Sequence, residues 1–450
     1  MNNIRLIFLF FSIFILFSNC SFDKKTGIWS GELDEKKRIA ELEEDQKNKI
    51  EVIKVYSSSN VEIEELSISK AVKLSKPKKN LFWRMSGLNQ QNFLGHIYFS
   101  GLNKNFIKKK IGKNKFTISK NISSPLVDNN NIIFSDDTGT IFSVNLDGKI
   151  NWKKNIYKKI YKKIYKNLSF TIHENKIFVA DNIGFIYSLS IDSGDLIWIK
   201  NHSIPIKSKI KIFKDKLFLI NQDNRILCFD INKGDILWDV RTVSSFIKSQ
   251  NLLSLAVSEK GDLVVLNSSG DLVKLNTSNG GIYWTKNIMR SMYAHDTDFF
   301  QSSDLVIYDN NIMFIATSTA FSINLDTALI NWKIDINSTN IPIIDGNNIF
   351  LLSNDGYFLN VDKNTGNIIW SNNILKVLKK RKQQTIITGH VLGSGKIYAT
   401  TLNGYMIVCS ATLGKVEKFL KIGSQISTSP IISDGAIYIL TDSPRIIGYK

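Results

Sequence analysis

The side chains able to do chemistry are few and scattered. Five histidines, His96, His173, His202, His295 and His390, follow no ligand spacing such as HExxH, the helical pair that holds a catalytic zinc. Each reads as a structural or exposed group, with His96 the one that could face a central channel. Asp136-Asp137, Asp192, Asp230 and Asp362 sit at or near turn signals, where a carboxylate bonds neighbouring backbone amides. No GxSxG elbow, P-loop or CxxC pair occurs. The spacing gives no nucleophile–base arrangement, so no catalytic residue, metal or cofactor is expected. What remains is one cysteine placed for acylation, Cys20, and two dense runs of positive charge.

Cys20 closes an export segment. Met1-Asn2-Asn3-Ile4-Arg5 is a short basic start, Leu6 to Phe17 is apolar or small, and Ser18-Asn19-Cys20 follows. The apolar run is too short to span a bilayer comfortably and fits a secretory signal. Its end is similar to a bacterial lipoprotein cleavage site, where the cysteine becomes the lipidated first residue. Phe17 and Asn19 depart from the leucine and small residue favoured there, and a plain signal peptide is the alternative. Residues 1–19 are therefore expected to be a lipoprotein signal, with a lipidated N-terminus and charged tether over 20–80. Gly31 to Lys49 alternates Glu, Lys, Asp and Arg with little apolar content, as a solvated tether would.

The net charge of +18 invites a nucleic-acid reading. The charge is mostly lysine in a chain crowded with Lys, Asn and Ile throughout, no nucleic-acid motif accompanies it, and an exported protein meets no genome. Nucleic acid is therefore not an expected partner. Two local peaks stand out: Lys158-Lys159-Ile160-Tyr161 followed by Lys162-Lys163-Ile164-Tyr165, and Lys379-Lys380-Arg381-Lys382. Either is solvated loop charge, or a contact for anionic lipid headgroups or an acidic partner.

The elements that position these runs come from a repeat. Gly184, Gly194 and Trp198 stand ten and then four residues apart; Gly270, Gly280 and Trp284 repeat the frame, as do Gly356, Gly366 and Trp370. Asn224 replaces the first glycine before Gly234 and Trp238, and Ser318 and Ala328 replace both before Trp332. Gly139, Gly148 and Trp152 are one residue short, while Gly404 and Gly414 lead to Lys418 instead of tryptophan. Seven copies at intervals of 38 to 48 residues mean one unit repeated. Short β-branched runs such as Ile177-Phe178-Val179 read as strands, glycine turns separate them, and prolines at 125, 342 and 430 mark a further strand start. Four strands per repeat predict an all-β, eight-bladed β-propeller over residues 81–450, seven blades being the alternative. The last blade, begun at Ser429-Pro430, needs an N-terminal strand to close it, and Leu81-Phe82-Trp83-Arg84 is the segment expected to supply it. Trp152, Trp198, Trp238, Trp284, Trp332 and Trp370 are expected to pack blade on blade. Cys228 and Cys409 fall in distant blades, so no disulfide is expected between them.

These repeats resemble those of pyrroloquinoline-quinone-type propellers. Within that superfamily the chain resembles the BamB-type lipoproteins of the outer-membrane β-barrel assembly machinery, through Cys20 behind a signal, Trp83 before the first blade, and the Ser429-to-Tyr438 phrase. The quinone enzymes carry adjacent cysteines and calcium-binding carboxylates; no two cysteines are adjacent here. The resemblance therefore implies a non-enzymatic scaffold at the outer membrane, facing the periplasm. Its implied partners are a BamA-type barrel-assembly protein, other subunits of that complex and nascent outer-membrane proteins. The alternatives are a quinone- and calcium-dependent dehydrogenase, or a lipoprotein that binds another envelope ligand.

Overall fold

Each proline that marks a strand start stands just ahead of a three-residue strand, where its missing amide costs no ladder hydrogen bond. Pro125 precedes β2 (Leu126–Asp128), Pro342 precedes β22 (Ile343–Asp345) and Pro430 precedes β30 (Ile431–Ser433). These are innermost strands of eight four-stranded antiparallel sheets arranged as the blades of a propeller. Blade 1 continues outward through β3 (Asn131–Ser135), β4 (Ile141–Asn145) and β5 (Ile150–Lys154). Blade 2 is β6 (Leu168–His173), β7 (Lys176–Asp181), β8 (Phe185–Ser190) and β9 (Leu196–Asn201). The computed structural model describes residues 63, 65–66, 72–116, 123–243, 252–289, 300–379 and 385–450, within one unit, Val61–Lys450. Cys20, most of the tether, His295 and the Lys380-Arg381-Lys382 run lie outside the described residues.

The repeating frame has a double cause. Its glycines adopt positive φ, as at Gly184 (106°) and Gly194 (70°), and the residues that replace glycine do likewise: Asn224 at 58°, Ser318 at 63° and Ala328 at 58°. The second glycine also makes room. A Cβ on Gly194 would stand 2.5 Å from the Trp152 ring, and one on Gly234 would stand 2.6 Å from Trp198. The same contact recurs from Gly280 to Trp238, Gly366 to Trp332 and Gly414 to Trp370. These five indoles thus lie on the glycine turn of the following blade, and Trp284 faces the turn where Ala328 replaces glycine. In every blade-packing tryptophan but Trp370 the Nε1 donates to a backbone carbonyl there, as in Trp152 to Ile191 at 2.8 Å, Trp198 to Ile231 at 3.1 Å and Trp284 to Leu325 at 3.1 Å. In the first three blades a small residue is the tryptophan's register partner on the adjacent strand, Ser143 opposite Trp152, Ser188 opposite Trp198 and Cys228 opposite Trp238, whereas Lys274 stands opposite Trp284. Cys228 and Cys409 are both free and buried, and burial pushes the Cys228 thiol up to about 12.

Blade 8 is closed by an N-terminal strand, but from a different segment than the tryptophan suggested. β31 (Ala436–Leu440) and β32 (Arg445–Tyr449) are completed by β1 (Asn105–Lys110), antiparallel to β32. In β1 only Ile107 is buried, against Gly448, and the three lysines that follow stay in solvent, as an outermost strand requires. Trp83 is buried at 3% exposure and has another task. It exchanges backbone hydrogen bonds with Val127 of the innermost strand of blade 1, at 2.7 and 3.0 Å.

Trp83 belongs to a strap that visits every blade in turn. Met85 bridges to Thr171 of blade 2, and the carbonyls of Ser86 and Asn89 accept from Lys211 of blade 3. Gln90 bonds Val257 of blade 4, Gln91 bonds Ile307 of blade 5, and Phe93 stacks on Tyr308 at 4.6 Å. His96 reaches toward Asp345 of blade 6, Ile97 bridges to Gly393 of blade 7 and Phe99 to Gly435 of blade 8. The preceding stretch, Lys78 with Ile97, lies parallel to the end of the same strap, so the chain overlaps itself before entering β1.

Candidate functional site

The strap makes the two ends of the ring unlike. It binds the later residues of the innermost strands, Val127, Asp345 and Gly393 among them, and so closes that end. At the other end, where those strands begin, lies a cavity of about 280 Å³ along the central axis. Serine, threonine and asparagine line it, including Ser124, Ser169, Thr339, Asn340 and Thr388, and Ser86 of the strap borders it. Asp304 is the one carboxylate among the described lining residues, and it is ion-paired to Lys209 at 2.5 Å. Among the described residues no group of three or more His, Cys, Asp or Glu is placed to hold a metal. A calcium-held quinone does not fit this lining, which offers one carboxylate, already occupied.

Two of the described histidines, His96 and His390, are buried. His96 is buried; its Nδ1 lies 2.8 Å from the carbonyl of Ser75, and its Nε2 accepts from the Gly395 amide at 2.7 Å. It ties the two passes of the strap to blade 7. His390 is fully buried in the innermost strand of that blade (β26, Ile387–Gly393), and desolvation holds it neutral, with its pKa lowered to about 3. Lys211 is buried at the strap: its Nζ donates to Ser86 and Asn89 at 2.6 and 2.8 Å, and desolvation lowers its pKa to about 7. Sequence reasoning missed this lysine, because nothing in Lys211-Ile212-Phe213 distinguishes it from a surface lysine at a strand start.

The first basic run lies in the connection from β5 to blade 2, at the open end. Lys158, Lys159, Lys162 and Lys163 are all exposed, on or beside a 3₁₀ turn, Lys159–Lys163. The base of that turn is built rather than loose. Tyr161 meets Phe185 edge-on at 5.5 Å, buried Lys166 donates to the Tyr161 carbonyl, and Tyr157 donates to Asp181 at 2.5 Å. Burial pushes the Asp181 carboxyl up, opposed by the hydrogen bond from Tyr157 and by the Phe185, Ile183 and Gly184 amides. Of the second run only Lys379 is described, as the last residue of one helical turn, Lys376–Lys379, between blades 6 and 7.

A further surface had no signal in the search for charged residues. On the outermost strands of blades 2, 3 and 4, Leu196, Ile197 and Ile199, Ile236 and Leu237, and Ile282 and Tyr283 are 40–55% exposed. Among the described residues these strands pair only on their inner side. The residue just before the tryptophan is apolar in these blades and, at 37% exposure, as Ile369 in blade 6, but Asn151 in blade 1 and Asn331 in blade 5, so blades 2–4 carry the longest uninterrupted stretch of the band. That position was readable in the repeat once its exposure was known.

Known proteins match this architecture. The model of the family described as outer membrane protein assembly factor BamB matches residues 137–372, just over half of the chain. The outer membrane protein assembly factor BamB of Moranella endobia is 21% identical over 295 residues, covering 62% of this chain and 63% of the relative, so the match spans less than two thirds of that relative. The Escherichia coli factor of the same name is 22% identical over 326 residues, covering 61% of this chain and 81% of its own length. Among solved structures, BamB from Moraxella catarrhalis superposes with a TM-score of 0.62 at 13% identity, covering 76% of this chain and all of that one. A europium-containing methanol dehydrogenase superposes with a TM-score of 0.61 at 11% identity, covering 82% of this chain and 89% of its own. Likeness at such identity speaks for the fold alone, and it is shared by enzymes and assembly factors. The family model goes further: with its glycine–glycine–tryptophan blades matched from 137 to 372, this chain belongs to the outer membrane protein assembly factor BamB family.

Proposed function

We propose that the protein is a non-enzymatic lipoprotein scaffold of the outer-membrane β-barrel assembly machinery. In this reading Cys20 carries the lipid anchor, residues 20–80 tether the propeller on the periplasmic side of the outer membrane, and the ring binds a BamA-type subunit and aids insertion of nascent outer-membrane proteins. The observation that carries it is the apolar band on blades 2–4. Seven aliphatic or aromatic side chains at 40–55% exposure, on strands with a free edge, are a surface that water disfavours and a protein partner would cover. The names of the family and of the relatives supply the kind of partner. The channel lining, with one ion-paired carboxylate, argues against the dehydrogenase alternative.

The test is affinity capture of the full-length protein from detergent-solubilised membranes. The BamA-type subunit should co-purify, and Ile197→Asp with Leu237→Asp should reduce its recovery about tenfold or more, as loss of a buried apolar anchor does. Recovery of the membrane-anchored protein without that subunit would overturn the assignment.

A further inference from the structure

Around the ring, exposed lysine and exposed apolar side chains each have a densest sector. Blades 2–4 carry the apolar band, whereas the sector where blade 8 meets blade 1 carries lysine. Lys108, Lys109 and Lys110 are exposed on β1, and Lys113 and Lys115 are exposed just beyond it. That stretch runs to the base of the basic turn: the Lys115 amide donates to Asp137 at 2.9 and 2.8 Å, the Asp137 carbonyl accepts from the Lys166 amide, and Phe116 meets Tyr165 edge-on at 6.1 Å. The two groups of lysines therefore share one foundation at the open end. None of Lys158, Lys159, Lys162 and Lys163 forms an ion pair with a described residue. Lys154, on the neighbouring strand, is paired, with Asp195 at 3.6 Å.

Between these lysines the turn holds up Ile160, which is 77% exposed, with Ile164 at 44%. An isoleucine this far into water on a fixed turn has no folding role, because the turn is secured by Tyr161, Lys166 and Tyr157 instead. A lone apolar tip in a ring of unpaired lysines matches one surface chemically. Anionic headgroups take the ammonium groups, and the apolar layer beneath them takes the aliphatic tip.

We propose that the Lys159–Lys163 turn and the adjoining lysines at Lys110–Lys115 form a membrane-docking face that binds anionic phospholipid, with Ile160 entering the headgroup–acyl boundary. This contact is separate from the partner surface on blades 2–4 and would hold the open end of the propeller against the bilayer. It is distinct from the proposed acylation at Cys20.

A position-specific readout separates the turn from any anchor. Full-length protein carrying Ile164→Cys, labelled with a polarity-sensitive dye, is reconstituted with phosphatidylcholine vesicles or with vesicles that also contain phosphatidylglycerol. A second labelled protein carries Asn364→Cys, an exposed turn residue at the strap-closed end. The expected result is a blue shift at position 164 with anionic vesicles only, no change at 364, and loss of the shift at high salt. Replacing Lys158, Lys159, Lys162 and Lys163 with Gln should weaken the dependence on anionic lipid about tenfold or more, each near-surface lysine contributing to the attraction. Ile160→Ser should reduce the blue shift while leaving the salt dependence in place. A dye equally wet on both kinds of vesicle, or a shift that survives the four-lysine replacement, overturns the proposal. If the turn stays wet on vesicles but is shielded in the captured assembly complex, it binds an acidic protein and the membrane assignment falls. Neither outcome alters the capture result that tests the blade 2–4 surface.

Discussion

The closed and open ends of the ring are made from the same eight blades, and what separates them is one strap. At the closed end, residues 78–100 convert eight repeating strand ends into a set of unrelated contacts, each with its own side chain: Asn92 to the carbonyls of Leu255 and Leu305, Lys211 to Ser86 and Asn89, His96 to Ser75 and Gly395. At the open end neighbouring connections join only locally, as Lys115 does with Asp137, and they carry the charge. Stability is thus concentrated where the chain crosses the blades, and the surface free to vary is concentrated at the other mouth. A propeller that must present loops to partners benefits from this division, since a rim residue can change without loosening the ring.

The sharpest way to break that comparison is at Trp83. It is a core residue of the strap, so Trp83→Ala should lower the unfolding free energy by about 3–5 kcal/mol, measured by urea denaturation. A loss below about 1 kcal/mol would mean that the strap merely lies on the ring. The effect at Lys211 is smaller and depends on pH. Its folded pKa, lowered by burial to about 7, lies below the unfolded value near 10.5. Between those values the unfolded chain binds more protons than the native one, so this group makes stability rise with pH; below pH 7 both states are protonated and the penalty is constant. From pH 7 to 9 the gain is about 2 kcal/mol. Lys211→Met should flatten this part of the stability–pH curve, and an unchanged slope would show that the buried ammonium is not desolvated.

The same contrast explains what could be read from the sequence. The blades were legible because their causes are local and repeated: positive φ at Gly184, a proline ahead of β2, a tryptophan four residues past a turn. The second role of the turn glycines, receiving the preceding tryptophan, was hidden because the contact joins residues some 40 positions apart, Trp152 with Gly194. The strap was not legible at all. Ser86-Gly87-Leu88-Asn89-Gln90-Gln91-Asn92 has no periodicity, and its partners are spread over more than 200 residues. Trp83 was assigned to blade 8 because a tryptophan beside an incomplete blade fits the repeat. The actual closing strand, Asn105–Lys110, has one apolar inward residue among lysines, too little pattern to distinguish it. For the candidate site, the basic turn was visible as a doubled Lys-Lys-Ile-Tyr, whereas its fixed base at Asp181 and Phe185 lies in another blade.

At the open end the expected effect on folding is the smallest, and its smallness is the point. Lys158, Lys159, Lys162 and Lys163 have no described ion-pair partner, and their mutual repulsion is screened beyond about 8 Å at physiological salt. Replacing all four with Gln should therefore change the unfolding free energy by no more than about 0.5 kcal/mol, and relief of repulsion could make the change stabilising. Urea denaturation at low and high salt checks both the size and the sign. A loss of about 2 kcal/mol or more would place these lysines in the fold itself, and the division between a closed end that holds the ring and an open end free to bind would fail. A negligible loss, set beside the large one at Trp83, is what such a division requires.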